Sequence, residues 1–391
     1  MIEPVEFAER VHARADELVA LRRDLHAHPE LSGQEVRTTA LVADRLRQAG
    51  LAPRTLPGGV GVLCDVGSGD GPVRALRADL DALPLSDVKD VPYRSTVAGV
   101  THACGHDVHT AAVLGAGLVL AELAAAGRPI GRVRLIFQPA EEVLPGGALA
   151  VIAADGLAEV GRILALHCDP RLTVGQIGLR VGPITAACDH VTVRLSGAGG
   201  HSARPQLTGD LVHALGTVIN QTPAALSRRV DPRAGLSLVW GRVAAGSAAN
   251  VIPRTGELEG TLRCLDPATW EMAPMLVTEI VEALVLPYRV AAGVEVLRGV
   301  PPCVNESESV RVLREAALVA WGPDSVCGTE QSLGGEDFAW YLLRVPGALA
   351  RLGVAPPGTA GTLDLHRSDF DVDERAIGIG ARLLLGAVLS L

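Results

Sequence analysis

Residues 101–126 constrain the fold more than any other stretch. Thr101-His102-Ala103-Cys104-Gly105-His106-Asp107-Val108-His109-Thr110 carries one thiol, three imidazoles and one carboxylate in ten residues. Residues 111–126 are almost all small or aliphatic, with no breaker but glycine. Such a run predicts a buried helix that begins near Gly105. The polar cluster then sits at a helix N-terminus, where free N–H groups and the dipole favour a thiolate. Cys104 and His106 are two apart, so both can aim at one cation from an extended turn. A thiolate with a neutral imidazole suits zinc or a similar divalent metal. One Cys-x-His is also explained by a buried thiol beside solvated histidines, so the rest of the chain must decide.

The chain has 391 residues, 48% of them hydrophobic, which suffices for a large core and for more than one domain. The net charge is −9, no basic run occurs and aromatics are 3%. These features argue against nucleic acid and anionic membrane as partners. Met1-Ile2-Glu3-Pro4-Val5-Glu6 lacks the basic and apolar segments of a signal peptide. The apolar run after Thr110 is too short to span a bilayer. Seven scattered cysteines read as reduced thiols, and a cytoplasmic location is expected.

A helical period over residues 4–28 carries Phe7, Val11, Ala15, Leu18, Leu21 and Leu25, and another runs from Thr38 to Gln48. β-rich runs follow at 61–66, 73–81, 132–138 and 162–167, alternating with the cluster helix and a helix over 147–154. Strands alternating with helices predict an α/β fold whose central sheet has helices on both faces. Three of those strands run into ionisable residues: Asp79 and Asp81, Glu141 and Glu142, and His167. In open α/β sheets the ligand crevice lies outside the carboxyl ends of the strands, so separate segments deliver carboxylates and imidazoles to one edge.

The texture changes after Gly182-Pro183. A strand over 189–196, a helix over 207–222, strands at 236–240 and 256–263 and a helix over 267–285 predict a small α+β domain. Its antiparallel sheet would be covered on one side. Residues 183–297 are thus expected to form an inserted lid or dimerisation domain, with 1–182 and 298–391 forming the catalytic, metal-binding domain. In the last part, a helix over 310–321, a Gly-rich turn at 334–338 opening a helix to 343, a strand over 348–353 and a closing helix over 374–391 are expected.

Cys104, His106, Glu142, His167 and His366 are the candidate ligands. Five such N, S and O donors can hold two divalent cations if one ligand or a water bridges them. Adjacent residues at an irregular turn can point differently, so Glu142 can bind metal while Glu141 acts as general base and then as acid toward the leaving amine. Asp81 is placed to orient a ligating imidazole. In the inserted domain, His201, flanked by glycines, is a candidate oxyanion donor. Asn250 and Arg263 are candidates for a substrate carboxylate. His12, His190 and His213, and the cysteines other than Cys104, read as ordinary structural residues. His26 and His28 lie where they can line the crevice.

The chain resembles the amidohydrolase branch of the M20 metallopeptidases: hippurate hydrolases, N-acyl-amino-acid hydrolases and plant auxin-conjugate hydrolases. The stretches that carry the resemblance are LHAHPELSGQE (25–35), RADLDALP (77–84), THACGHDVHTA (101–111), QPAEE (138–142), GAGGHSARP (197–205), NVIP (250–253), GTLR (260–263), GGEDF (334–338) and LHRSDF (365–370). They span nearly the whole chain in the family's order. The resemblance implies a di-zinc exopeptidase-like mixed sheet with an inserted lid or dimerisation domain. It also implies two divalent metals per subunit (zinc, manganese or similar), held by Cys104, His106, Glu142, His167 and His366, with Glu141 as the catalytic glutamate. A homodimer follows from it, with His201 matching a histidine that some relatives donate to the neighbouring subunit. Asp79 stands where other M20 branches have a metal-binding histidine. Arg367-Ser368-Asp369 after His366, and Cys168-Asp169-Pro170 after His167, depart from the family's pattern and bear on the substrate pocket.

The expected activity is metal-dependent hydrolysis of the amide in small N-acyl amino acids, with a metallo-carboxypeptidase or dipeptidase of the same fold as the alternative. Two rivals are a cysteine hydrolase using Cys104 with His106 or His109, and a non-catalytic metal-binding protein on the same fold.

Overall fold

The helical period of the first 28 residues is interrupted. The computed structural model describes residues 2–390 and shows two helices there, α1 (Pro4–Ala13) and α2 (Ala15–Ala27), separated at Arg14. The break lets each helix bury its own stripe, Phe7 and Val11 on α1, Leu18, Leu21 and Leu25 on α2. α3 (Val36–Gln48) stops just before Gly50, which takes the left-handed conformation that ends many helices.

Two units follow from the way the chain packs: Met1–Ile184 with Val304–Glu330 and Asp337–Leu391, and Thr185–Cys303 with Gln331–Glu336. After α3 the first unit continues with β1 (Arg54–Thr55), β2 (Val62–Val66), β3 (Val73–Asp79), α4 (His106–Ala125), β4 (Val133–Gln138), α5 (Ala148–Ala153), β5 (Val160–Thr173), β6 (Ile177–Leu179) and β7 (Gly182–Thr185). The second unit holds β8 (Ala187–Ser196), β9 (Gly200–His201), α6 (Leu211–Arg229), β10 (Ser237–Ala245), β11 (Val251–Ile252), β12 (Thr255–Cys264), α7 (Pro267–Val285) and β13 (Ala291–Val300). The chain then returns through β14 (Cys303–Asn305), α8 (Ser307–Trp321), β15 (Val326–Gly328), α9 (Ala339–Leu342), β16 (Gly347–Ala355) and α10 (Arg375–Ser390).

In the first unit eight strands form a mixed sheet in the order β1-β2-β4-β3-β5-β16-β6-β15. β3 pairs in parallel with β4 on one side and β5 on the other. The chain therefore crosses over β3 between β4 and β5, and the carboxyl ends of β3 and β4 open onto one crevice, the place where such sheets bind ligands. Strand β5 is longer than the run at 162–167 suggests: it continues past His167 to Thr173, so His167 is a mid-strand residue.

One face of the sheet carries α4 and α10. Gly117 of α4 lies so close to Leu135 of β4 that a Cβ there would fall 2.3 Å from its Cδ1, and Gly380 of α10 packs against Leu166 and Leu352. α4 is buried over almost its whole length. It is long and apolar enough to cross a membrane by length and composition, but it forms the centre of the hydrophobic core. On the opposite face of β3 and β4 stand Arg77 and Gln138. Arg77 donates to Gln138 (2.9 Å), Asp79 (2.6 Å) and Asp337 (2.7 Å), and Tyr341 of α9 donates to Gln138 (3.0 Å).

In the second unit β10-β12-β8-β13 form an antiparallel sheet. Val191, Val193 and Leu195 of β8 and Leu258 and Leu262 of β12 alternate into a core completed by Leu215 and Val218 of α6 and Val277 and Val281 of α7. The fourth strand, β13, lacks a clear sequence signal because its outer half is Ala-Ala-Gly and alternates only between half-buried and exposed positions.

Candidate metal centre

The site is assembled at the crevice end of the sheet in the first unit. Gly105 caps α4 with φ 86°, a left-handed value open to glycine at little cost. A Cβ there would fall 2.6 Å from Cys168 Sγ. The turn between Cys104 and α4 thus presses against the residue after His167. Pro139-Ala140 bends the chain after β4, with Ala140 at φ 56°. Glu35 Oε1 holds that bend by accepting from the N–H groups of Ala140 (2.7 Å) and Gly33 (2.9 Å). His366 also has positive φ, 60°, and its N–H donates to Ala103 O at 2.8 Å, tying its loop to the residue before Cys104. Strained backbone of this kind, in non-glycine residues, gathers where side chains must be aimed.

These turns bring the five expected ligands together. Cys104 Sγ is 3.5 Å from His167 Nε2, and His366 Nε2 is 3.4 Å from Glu142 Oε1. His106 Nε2 lies 3.8 Å from Glu142 Oε1 and 3.9 Å from Glu141 Oε2. Cys104, His106 and His167 form one compact donor set, Cys104, Glu142 and His366 a second, and Cys104 belongs to both. Glu141 joins a third with His106 and Glu142.

A divalent cation fits this arrangement. His106 Nε2 and Glu142 Oε1 are buried with no hydrogen-bond partner, although buried polar atoms are nearly always satisfied. Both atoms belong to the converging set. Burial and then the Glu142 charge push the Cys104 thiol well up, so its place before α4 does not by itself release the thiolate; a bound cation would.

Three of the expected ligands, His106, Glu142 and His167, are steered from behind. Asp81 Oδ1 lies 3.2 Å from His106 Nδ1, while Asp81 Oδ2 accepts from Ser32 Oγ (2.6 Å) and the Glu142 N–H (2.9 Å). Burial opposes ionisation of Asp81, but His106, Ser32 and the Glu142 N–H outweigh it and hold the carboxyl below its usual range. His167 Nδ1 points to Cys168 O at 2.8 Å, which leaves Nε2 free to face Cys104. His109 Nε2 accepts from the Cys168 N–H (2.8 Å), so its proton is on Nδ1, directed at Asp79 (2.6 Å). With both nitrogens engaged, His109 is not available as a base for Cys104, which disfavours the cysteine-hydrolase rival.

The sequence is similar to the Peptidase family M20/M25/M40 over residues 75–390. The chain belongs to the M20 family. Among curated proteins, the N-acetyl-L-cysteine deacetylase of Bacillus subtilis is 37% identical across 92% of this M20 chain and 85% of its own. A Rhodococcus jostii protein named glutamate--cysteine ligase 2-3 is 52% identical across 94% of this chain. The match covers 46% of that protein, so this chain spans about half its length. Among solved structures, a dinuclear metal binding M20 peptidase of Bacillus subtilis superposes with a TM-score of 0.84 at 33% identity, covering 97% of this chain and 98% of its own.

The remaining expected site residues lie in the second unit. His201 of β9 and Val251 of β11 are paired, and Ser202 N donates to Asn250 O, so His201 and Asn250 are neighbours on exposed surface. Arg263 lies at the far end of β12, where it donates to Leu333 O. Among the described residues no disulfide joins any of the seven cysteines.

Sequence reasoning missed a buried lattice behind α4. Arg22 donates to Asp107 (2.7 Å) and Asp371 (3.0 Å), and His26 Nδ1 is 2.7 Å from Asp107. The signal was present in Asp107 beside His106, but nothing local marks Arg22 as buried, and His26 was expected only to line the crevice.

Proposed function

We propose that this chain is a dinuclear-metal amidohydrolase that splits the amide of N-acyl amino acids into a carboxylate and a free amino acid. The observation that carries the reading is the placement of two adjacent carboxylates on one donor set: Glu142 Oε1 lies 3.4 Å from His366 Nε2 and 3.8 Å from His106 Nε2, and Glu141 Oε2 lies 3.9 Å from the same His106 nitrogen. Cys104, His106, Glu142, His167 and His366 would hold two divalent cations, which when bound polarise a carbonyl and lower the pKa of water. Glu141 takes the proton of the attacking water and returns it to the departing nitrogen, which must leave as a neutral amine. Asp81 keeps the His106 Nε2 lone pair aimed inward through its hold on Nδ1.

The roles assigned to His201, in oxyanion binding, and to Asn250 and Arg263, in carboxylate binding, are supported by the sequence. So is the part assigned to the second unit as a lid and dimer-forming domain, which a solution mass measurement tests. The deacetylase relative makes N-acetylcysteine the first substrate to try. The Rhodococcus relative supports the same choice, because a glutamate–cysteine ligase would use the free amino acid that deacetylation yields.

The test is a hydrolysis screen of N-acetyl, N-benzoyl and longer N-acyl amino acids, with dipeptides alongside, on metal-stripped protein to which zinc or manganese is returned. Turnover of acyl amino acids that needs added metal supports the proposal. Cleavage of dipeptides alone would replace it with a peptidase.

A further inference from the structure

Four arginines are at least nine-tenths buried, and three of them are matched to carboxylates: Arg22 to Asp107, Arg77 to Asp79 and Asp337, Arg134 to Asp65. The fourth is Arg351. It is 6% exposed, its Nε is buried without a partner, and among the described residues no hydrogen bond or ion pair engages its guanidinium. An unmatched, nearly buried cation is costly, and an anion that reaches it offsets that cost.

Its position says where that anion would come from. Arg351 is in register with His167 of β5 on one side and with Gly178 of β6 on the other. Residues in register on adjacent strands leave the sheet on the same face, so the guanidinium stands beside the His167 imidazole. After burial itself, Arg351 is the strongest influence holding that imidazole neutral. The stem is clamped from the other side: a Cβ on Gly178 would fall 3.1 Å from both Arg351 Cβ and Thr329 Cβ, and 2.8 Å from Leu172 Cδ1. A fixed stem with a free fork suits the two-point capture of a carboxylate.

We propose that Arg351 anchors a carboxylate of the substrate beside the metal centre. The proposal rests on the amidohydrolase reading for the identity of that carboxylate, which is either the α-carboxylate of the amino acid or a second one borne by the acyl group or the side chain.

The experiment compares wild type with Arg351→Met and Arg351→Lys, each loaded with zinc. Calorimetric titration with succinate, which needs no turnover, is expected to show binding at least tenfold weaker in Arg351→Met, with Arg351→Lys between the two. Equal binding overturns the proposal. Thermal unfolding of Arg351→Met is expected at an equal or higher temperature, because an unmatched charge is removed; a marked fall would show a structural ion pair and overturn it too.

Rates on N-acetylalanine, N-succinylalanine, N-acetylglutamate and N-acetylalanine amide then separate the sources. A tenfold loss of kcat/KM on the three acids but not on the amide identifies the α-carboxylate. A loss confined to N-succinylalanine or N-acetylglutamate identifies the second one. An equal loss that includes the amide means that Arg351 merely holds His167, and the proposal fails. If wild type cleaves none of the four yet succinate binding still needs Arg351, the amidohydrolase reading falls while the anion site stands.

Discussion

Asp81 grips two of the expected ligands at once. One oxygen lies 3.2 Å from His106 Nδ1 and the other accepts the backbone N–H of Glu142 at 2.9 Å. A single carboxylate thereby sets the heading of an imidazole and the position of the neighbouring turn. Asp81→Ala is expected to weaken metal binding by about 10–100-fold, and Asp81→Asn by less, since an amide oxygen can still accept one of the two bonds. Competition with a chelator of known affinity checks both.

Glu141 is assigned proton transfer rather than ligation. Glu141→Gln keeps the shape and removes the base, so the variant is expected to bind both cations and to lose roughly 10²–10⁴-fold in kcat. Metal content by elemental analysis, measured beside turnover, checks the assignment. Retention of most of kcat would remove Glu141 from the mechanism.

Metal uptake should release protons. Burial and Glu142 raise the Cys104 thiol; His106 is raised by Asp79 and Cys104 against burial; His366 is raised chiefly by Glu142. His167 is already neutral, its pKa well lowered by burial and Arg351. Ligands bind in their deprotonated forms, so each proton displaced strengthens apparent affinity by about tenfold per pH unit. Affinity is therefore expected to rise from pH 6 to pH 8, and calorimetry in buffers of different ionisation enthalpy counts the protons.

His26 links stability to pH in the opposite sense. Burial lowers its pKa, but Asp107 at 2.7 Å and Asp87 at 3.3 Å outweigh burial and raise it. A group raised above its unfolded value, near 6.5, contributes stability that is complete below that value and lost as pH climbs through the folded one. The stability of wild type over His26→Gln is thus expected to be greatest near pH 6 and to shrink toward pH 9. Urea unfolding at several pH values measures it; a gap that grows with pH would show His26 to be neutral when folded.

The parts of this fold legible in the sequence are those where burial and period agree. α4 and α7 declare themselves by long apolar composition, and β3 and β4 by apolar runs between glycine and proline. The break at Arg14 carries no glycine or proline, so only packing reveals it. The donor set was legible because Cys104, Glu142 and His366 stand in turns and loops and His167 closes an apolar run, although β5 itself continues past it. Arg22, Arg77 and Arg351 were not, since nothing local distinguishes a buried arginine from a solvated one. Arg351 in particular sits inside the apolar run of β16, where only its pairing with His167 gives it meaning.

The two donor sets that share Cys104 differ in what holds them. Cys104, His106 and His167 are all buried at the start of α4 and within β5, whereas His366 is exposed on a loop and Glu142 follows the turn after β4. Parting the first three means dissolving the middle of the protein; swinging His366 aside means moving one loop. Two cations seated here would have unequal lifetimes, one as durable as the fold and the other free to trade with solution.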